Sequence, residues 1–353
     1  MKENKNLWPG LDVFKFVAAI LVLMLHANPF EDTSVPGLFV REVLTPIAVP
    51  FFFAASGFLF YMSMRTGGRE KGRRTITHAL KLYGIWSLVY LPYTVISWLI
   101  NGGSMLQHGM TYIKRVIFEG SYETIWFLNA LWVALLLVYI LLRYLSPRAV
   151  FLISVPFYCV GVLLSAWREL LLKLPLGRQL SEVYYSFFET TKNGLLFGFV
   201  YVALGVLIAW RYGEREVAVG KKSLPLWTAL AVAAFLVEYA VREHWFAGGT
   251  SADFAFSLVG IAEVLLSIAI GIKWEAKERF VRMRNYSTLV FLTQRLFLTA
   301  FTWFDAATDS LWGIRLLKTI PFVHLVLVAG ATFTLSSLIL WTAKRIRWVR
   351  SIY

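Results

Sequence analysis

The sequence has a single cysteine, Cys159, so the chain can form no internal disulfide. Cys159 lies in an apolar run and reads as a small buried hydrophobe. The five histidines are dispersed, and neither HExxH nor CxxC occurs, so no metal site is indicated. There is no Walker loop and no GxGxxG, which argues against an ATP-driven pump and a dinucleotide enzyme. Charge is scarce, at 16% of residues, where soluble domains carry about 25%. No internal repeat and no Pro- or Ser-rich linker divides the chain.

In place of charge there is apolar length: 58% of the 353 residues are hydrophobic. Ten apolar segments recur, near Trp8–Ala27, Leu44–Met64, His78–Ile100, Tyr122–Leu142, Ala149–Trp167, Asn193–Trp210, Ser223–Val241, Asp253–Ile272, Asn285–Trp303 and Thr319–Thr342. Each is about long enough to cross a bilayer as a helix. The expected fold is all-α, a multi-pass membrane protein of about ten transmembrane helices in a single domain, residues 1–353.

Net charge is +14, which raises nucleic acid as a partner. The basic residues are spread over many short loops, so the excess reads instead as a topology signal beside membrane lipids. Connections on the N-terminal side of the membrane hold 23 Lys and Arg, and those on the other side hold 10. Basic loops stay in the cytoplasm, so both termini are expected there, in a cell membrane and most simply a bacterial cytoplasmic one. Lys2 and Lys5 precede the first apolar run as in a signal peptide, but Asp12 interrupts that pattern and Ala27-Asn28-Pro29 is a poor cleavage site. An uncleaved first helix is expected. The long outer connections Asn101–Ser121 and Arg168–Lys192 are amphipathic and suited to cap the outer face.

The first segment, GLDVFKFVAAILVLMLHANPF, carries three groups that lipid rejects. Lys15 and His26 are eleven residues apart, and at 100° per residue they share one helix face, about 16 Å apart. Asp12 shares that face, and Ala19 and Val22 between them are small enough for close packing. One face thus joins a charged pair near the cytoplasmic end to an imidazole near the outer end. Asp12 and Lys15 could simply pair or snorkel, with His26 at the headgroup boundary. Ionisable groups inside a membrane are nevertheless functional candidates, and imidazole is the usual base near neutral pH.

Asp12-x-x-Lys15-x10-His26 resembles the opening signature of the membrane-bound acyltransferase-3 family, a basic residue separated by ten from a His. VPFFFAASGFLF (Val49–Phe60), GRRTITHALKLYGIWSLVY (Gly72–Tyr90), TIWFLNAL (Thr124–Leu131) and KNGLLFGFVYVALGVLI (Lys192–Ile208) resemble later segments of the same family, in the same order. In the ninth segment, STLVFLTQRLF, Gln294 and Arg295 stand where family members often have a His. The resemblance implies an enzyme that moves an acyl group, usually acetyl, from cytoplasmic acyl-CoA to a hydroxyl on an extracytoplasmic acceptor. That acceptor is a cell-envelope glycan or a small molecule. Acyl-CoA is then a donor co-substrate, and no metal is called for.

On that reading His26 is the general base or a transient acyl carrier, Lys15 binds a CoA phosphate or carbonyl, and Asp12 orients Lys15. Arg73, Arg74, His78 and Lys81, at the cytoplasmic entry to the third segment, are candidates for the CoA phosphates. They equally suit topology signals facing anionic lipid. Trp126 can stack on a sugar or belong to the interfacial aromatic belt, and Asn129, Asn193 and Gln294 can hydrogen-bond the acceptor. Glu263, in the eighth segment, should face the bundle interior with a partner or be protonated, and is a candidate to bind the substrate or else a structural hydrogen-bonder, while Glu238 in the seventh reads as structural. Ser56-Gly57 reads as a close helix contact rather than a nucleophile, and Gly194 and Gly198 as positions of tight packing.

The rival class is a transporter or flippase for a small polar or glycan substrate, since ten spans with buried charge suit it and some relatives look like uptake modules attached to other domains. The absence of an inverted repeat and of paired Gly/Pro-broken helices argues against it. A sensor or scaffold without turnover is a third class, and CoA binding separates the enzyme from both.

Overall fold

The computed structural model describes residues 8–30, 34–215, 223–245, 254–275, 277–312 and 320–353. Lys2, Lys5, Lys221, Lys222, Arg315 and Lys318 of the charge census lie outside these residues, as do the expected segment ends Asp253 and Thr319. The described residues are helical and include no strand. In chain order they form α1 (Pro9–Ala27), α2 (Val35–Leu38), α3 (Ala48–Asn101), α4 (Met105–Phe118), α5 (Trp126–Leu141), α6 (Pro147–Leu164), α7 (Arg168–Leu172), α8 (Pro175–Phe187), α9 (Phe199–Arg215), α10 (Leu224–Trp245), α11 (Leu258–Gly271), α12 (Glu278–Trp312) and α13 (Pro321–Arg345). Short π-helical stretches follow α2 and precede α9, and a 3-10 turn follows α13.

Each of the ten apolar segments carries a helix. Among the described residues six helical runs are both long and apolar enough to cross a membrane: Pro9–Ala27, Val35–Asn101, Pro147–Leu164, Gly194–Gly213, Leu224–His244 and Pro321–Arg345. The second of these holds two of the segments. Trp126–Leu141 and Leu258–Gly271 are equally apolar but shorter. The protein is an all-helical membrane protein.

The cytoplasmic loop expected between the second and third segments is instead helix. α3 continues through it and breaks only at Gly67 and Gly68, where Gly68 takes φ 67°, a left-handed backbone that glycine adopts without strain. The reason is visible beyond the break. Gly72, Ile76, Ala79, Leu82 and Tyr83 are buried at helical spacing, while Arg73, Arg74, His78 and Lys81 are exposed. The stretch is an amphipathic basic helix, not a loop.

The chain packs as two compact units. The first comprises residues 1–48, 85–102 and 273–353, and the second 49–84 and 103–272. In the first unit α1 and α12 run parallel, with Asp12 facing Arg284 near one end and Ala27 packed on Leu298 near the other. α13 runs antiparallel to both: Val328 closes the cluster with Ala27 and Leu298, and the Phe333 ring meets Phe16 at 6.2 Å and Tyr286 at 5.9 Å. The last part of α3 joins them. The Tyr90 hydroxyl donates to the Leu292 carbonyl at 2.6 Å, and the Tyr93 ring stacks on Trp303 at 5.3 Å.

In the second unit the first part of α3 crosses α9 with backbone against backbone. A Cβ on Gly57 would stand 2.1 Å from the Val202 carbonyl oxygen, and one on Gly205 would stand 1.9 Å from that of Ala54. Ser56 beside it donates to its own helix, to the Phe52 carbonyl at 2.7 Å. The reading of Ser56-Gly57 as a packing contact therefore holds. A buried tyrosine pair ties α6, α9 and the start of α11. Tyr158 donates its one proton to the Ala255 carbonyl at 2.7 Å, so Tyr201 donates to Tyr158 across 2.6 Å. The two long connections expected on the outer face form the amphipathic helices α4 and α8, and they meet where Phe118 packs edge-on against Phe187 at 5.2 Å.

Candidate functional site

α1 starts with Pro9 in its first turn and ends at Asn28, whose left-handed backbone (φ 42°) lets its N–H return to the Met24 carbonyl at 3.0 Å. Between these caps Asp12, Ala19 and Val22 are buried on the expected face. Asp12 is the costly group. Its Oδ1 lies 3.7 Å from the Arg284 Nε, its Oδ2 is buried with no hydrogen-bond partner among the described residues, and Lys15 is within electrostatic reach of both. A buried carboxylate persists only with cationic neighbours, and Arg284 with Lys15 supplies them. In the sequence Arg284 is one of the basic residues that flank the ninth segment. Its position at the start of the ninth segment was the sole hint of this role.

Gln294 is fully buried on α12. Its amide nitrogen donates to the Phe291 carbonyl at 3.3 Å, and its Oε1 has no partner among the described residues. From the register of Asp12 with Arg284 and Ala27 with Leu298, Gln294 stands at the level of Val22–Leu23, about a turn before His26. On α13, Thr332 and Ser336 are fully buried, and their hydroxyls have no hydrogen-bond partner among the described residues. The structure also brings in His324 at the C-terminal end of α1, a residue that sequence reasoning did not single out. It bonds to the backbone of Ala27, meets the Phe301 ring at 6.1 Å, and lies near the Asp305 carboxylate. Its contacts come from residues remote in sequence, so no local spacing could have revealed them.

Asp12, Lys15, His26 and Gln294 thus belong to one unit, and the remaining expected site residues belong to the other. There, Arg74, His78 and Lys81 fall on one exposed helix face, with Arg73 beside it and Arg74 paired to Glu70 at 3.2 Å. Glu263 has the partner expected of it, Arg211 Nη1 at 3.5 Å. Trp126 packs among Phe53 and Phe197, with the Lys192 ammonium 6.0 Å from its ring centre. The two asparagines are engaged within the fold. Asn129 accepts from Trp132 Nε1 at 2.9 Å and donates to the Ile117 carbonyl at 3.5 Å. Asn193 accepts from the backbone N–H groups of Leu195 and Leu196 at 3.0 and 2.9 Å, and donates to the Tyr184 hydroxyl at 3.0 Å. It is the N-cap of the helical run that leads into α9.

Glu238 is also spoken for. Its two oxygens accept from Trp167 Nε1 at 3.2 Å, Phe256 N at 2.9 Å, Ser257 N at 2.9 Å and Ser257 Oγ at 2.6 Å, so it caps the start of α11. In the two long connections, buried Glu119 accepts from the backbone N–H groups of Glu189 and Thr190. Burial there raises the Tyr184 hydroxyl above the usual phenol range, with Tyr185 and Glu119 adding to the effect.

Comparison with known proteins gives these arrangements a context. An acyltransferase domain, that of the acyltransferase-3 family, matches residues 8–341. An amino-acid racemase of Enterococcus faecalis is 28% identical over 210 residues, 59% of this chain and 29% of that protein. A second amino-acid racemase of the same organism is 24% identical over 356 residues, 98% of this chain and 47% of that protein. A serine/alanine racemase of Enterococcus gallinarum is 26% identical over 214 residues, 59% of this chain and 30% of that protein. The chain spans less than half the length of these curated relatives. No solved structure matches it. A domain match over nearly the whole chain, together with the packed Asp12–Lys15 face of α1, leads to one conclusion: the chain belongs to the acyltransferase-3 family.

Proposed function

We propose that the protein moves an acyl group, acetyl in the first instance, from cytoplasmic acyl-CoA to a hydroxyl on an extracytoplasmic acceptor. The acceptor oxygen attacks the thioester carbonyl while His26 takes its proton. The C–S bond breaks, and the departing CoA thiolate recovers that proton from His26. Lys15, oriented by Asp12 and Arg284, holds a CoA phosphate or the thioester oxygen. Arg73, Arg74, His78 and Lys81 are the binders for the remaining CoA phosphates. Trp126, Glu263 and Gln294 are candidates to contact the acceptor, as are Asn129 and Asn193, although both asparagines also bond within their own unit. Ten spans with both termini in the cytoplasm of a bacterial membrane complete this reading. The observation that carries it is the buried Asp12 beside Lys15 on α1, met by Arg284 of α12, on the helix whose other end carries His26.

A second reading follows from the relatives. Two are named amino-acid racemases and one a serine/alanine racemase, and one match runs along 98% of this chain. The substrate is then a free amino acid such as serine. Serine is either the acceptor, through its hydroxyl, or the cargo of a transporter that needs no CoA.

The test is acetyl-CoA binding and CoA-thiol release by purified protein in lipid nanodiscs, for the wild type, His26→Ala and Lys15→Ala. Saturable binding weakened by Lys15→Ala and turnover abolished by His26→Ala support acyl transfer. Full activity in His26→Ala would overturn the base assignment. Serine uptake into proteoliposomes in the absence of CoA would favour the transporter.

A further inference from the structure

His324 enters none of the steps above, yet its surroundings fit a chemical role. The bond to the Ala27 backbone engages one ring nitrogen as a donor to a carbonyl that the end of α1 leaves open. The other nitrogen, Nε2, is buried and has no hydrogen-bond partner among the described residues. In its neutral form a ring that donates through the other nitrogen carries its lone pair on Nε2. The groups around it are the Ala27 backbone at the end of α1, the Asp305 carboxylate on α12, and the Phe301 ring, which closes one side. A buried lone pair is costly to leave unmet, and it stands at the end of α1 that carries His26.

We propose that His324 Nε2 binds the acceptor, taking a hydrogen bond from a second donor group beside the hydroxyl that His26 deprotonates. The inference rests on the acyl-transfer reading and narrows the acceptor to one with two neighbouring donors. A vicinal diol of a glycan and a hydroxy-amine such as serine both qualify, and a simple alcohol does not. Asp305 nearby favours an acceptor that brings a positive charge.

Two substitutions separate this role from a structural one. In His324→Asn the side-chain amide keeps a donor for the Ala27 carbonyl and removes Nε2. In His324→Gln an amide oxygen reaches toward the Nε2 position and the bond to Ala27 is lost. The assay is transfer of label from radiolabelled acetyl-CoA into native membranes that retain the cell's own acceptor, alongside acetyl-CoA binding and melting temperature of the purified variants. The expected result is that His324→Asn binds acetyl-CoA and melts like the wild type but loses transfer about tenfold or more, with His324→Gln recovering part of it. Wild-type transfer in His324→Asn, with loss in His324→Gln, would mean that the ring only caps α1 and would overturn the proposal. Should the wild type itself transfer no label, the acyl-transfer reading falls and this inference with it. A loss confined to the variants concerns His324 alone.

Discussion

Asp12 in the first unit and Glu238 in the second are both carboxylates on apolar helices, and the fold treats them differently. Glu238 accepts four hydrogen bonds, and both its oxygens are occupied. Asp12 faces one guanidinium at 3.7 Å and keeps a buried oxygen without a hydrogen bond. The amides divide along the same line. Asn193 uses its oxygen twice and its nitrogen once, while Gln294 makes one bond within its own helix and leaves its oxygen bare. A saturated polar group builds structure and has nothing left to offer a ligand. An unsaturated one in a packed helix bundle raises the energy of the protein alone, and a substrate can recover that energy on binding. Asp12 and Gln294 are therefore groups at which to expect chemistry, and Glu238 and Asn193 hold their own unit together.

The scaffold side of the comparison predicts the largest effect. Gly205→Leu places a side chain where the Ala54 carbonyl oxygen already stands, and no rotamer avoids a backbone clash. The variant should yield no monodisperse protein by size-exclusion chromatography in detergent. A well-folded Gly205→Leu protein would show that α3 and α9 do not approach this closely. Next comes Glu238→Leu, which strips Phe256 N, Ser257 N and Trp167 Nε1 of their acceptor. Hydrogen bonds to a charged group are worth about 1.5–3 kcal/mol each but do not add, so a loss near 3 kcal/mol is expected. A lowered melting temperature with transfer per folded molecule unchanged would place Glu238 on the structural side. Transfer lost without any change in melting would move it to the other.

Much of this division could be read from local pattern, and some could not. The face shared by Asp12, Lys15, Ala19, Val22 and His26 follows from helical period alone, and burial of Asp12, Ala19 and Val22 agrees with it. Ser56-Gly57 as a close contact and the amphipathic long connections were legible for the same reason. Arg284 and His324 were not, because their partners on α1 lie far away in the chain and no spacing rule reaches that distance. The stretch between Gly68 and His78 reads as a connection because its charges hide the buried positions Gly72 and Ile76 that carry the helix back from the third segment. Asn193 read as a binding residue because an asparagine at a helix entrance suits both a ligand and a cap, and only the bonds to Leu195 and Leu196 show the cap.

That cap gives a smaller prediction. Asn193→Ala frees two backbone N–H groups at the start of the helical run into α9, at a cost of about 1 kcal/mol. Asn193→Asp keeps the acceptor and should restore most of the melting temperature, although the Tyr184 hydroxyl loses its donor. A change in transfer that far outweighs the change in stability, and that Asp does not rescue, would return Asn193 to the binding residues.

The smallest effect is also the sharpest, because its sign reverses. Thr332 and Ser336 are fully buried on α13 with hydroxyls that meet no partner among the described residues. If unsaturated groups in this unit are kept for a ligand, the protein alone is better off without them. Thr332→Val is nearly isosteric and removes one unmet hydroxyl, so it should raise stability by up to about 1 kcal/mol. Deletion of the saturated groups Glu238 and Asn193 should instead lower it. The gain should come with a loss of transfer, since a functional polar path trades stability for activity. Thermal melts of Thr332→Val, Ser336→Ala and the double variant, beside acyl-transfer rates for the same samples, test both halves. A fall in stability would mean that the hydroxyls are satisfied in the membrane by water or by each other, and the contrast between the two units would narrow to Asp12 and Gln294.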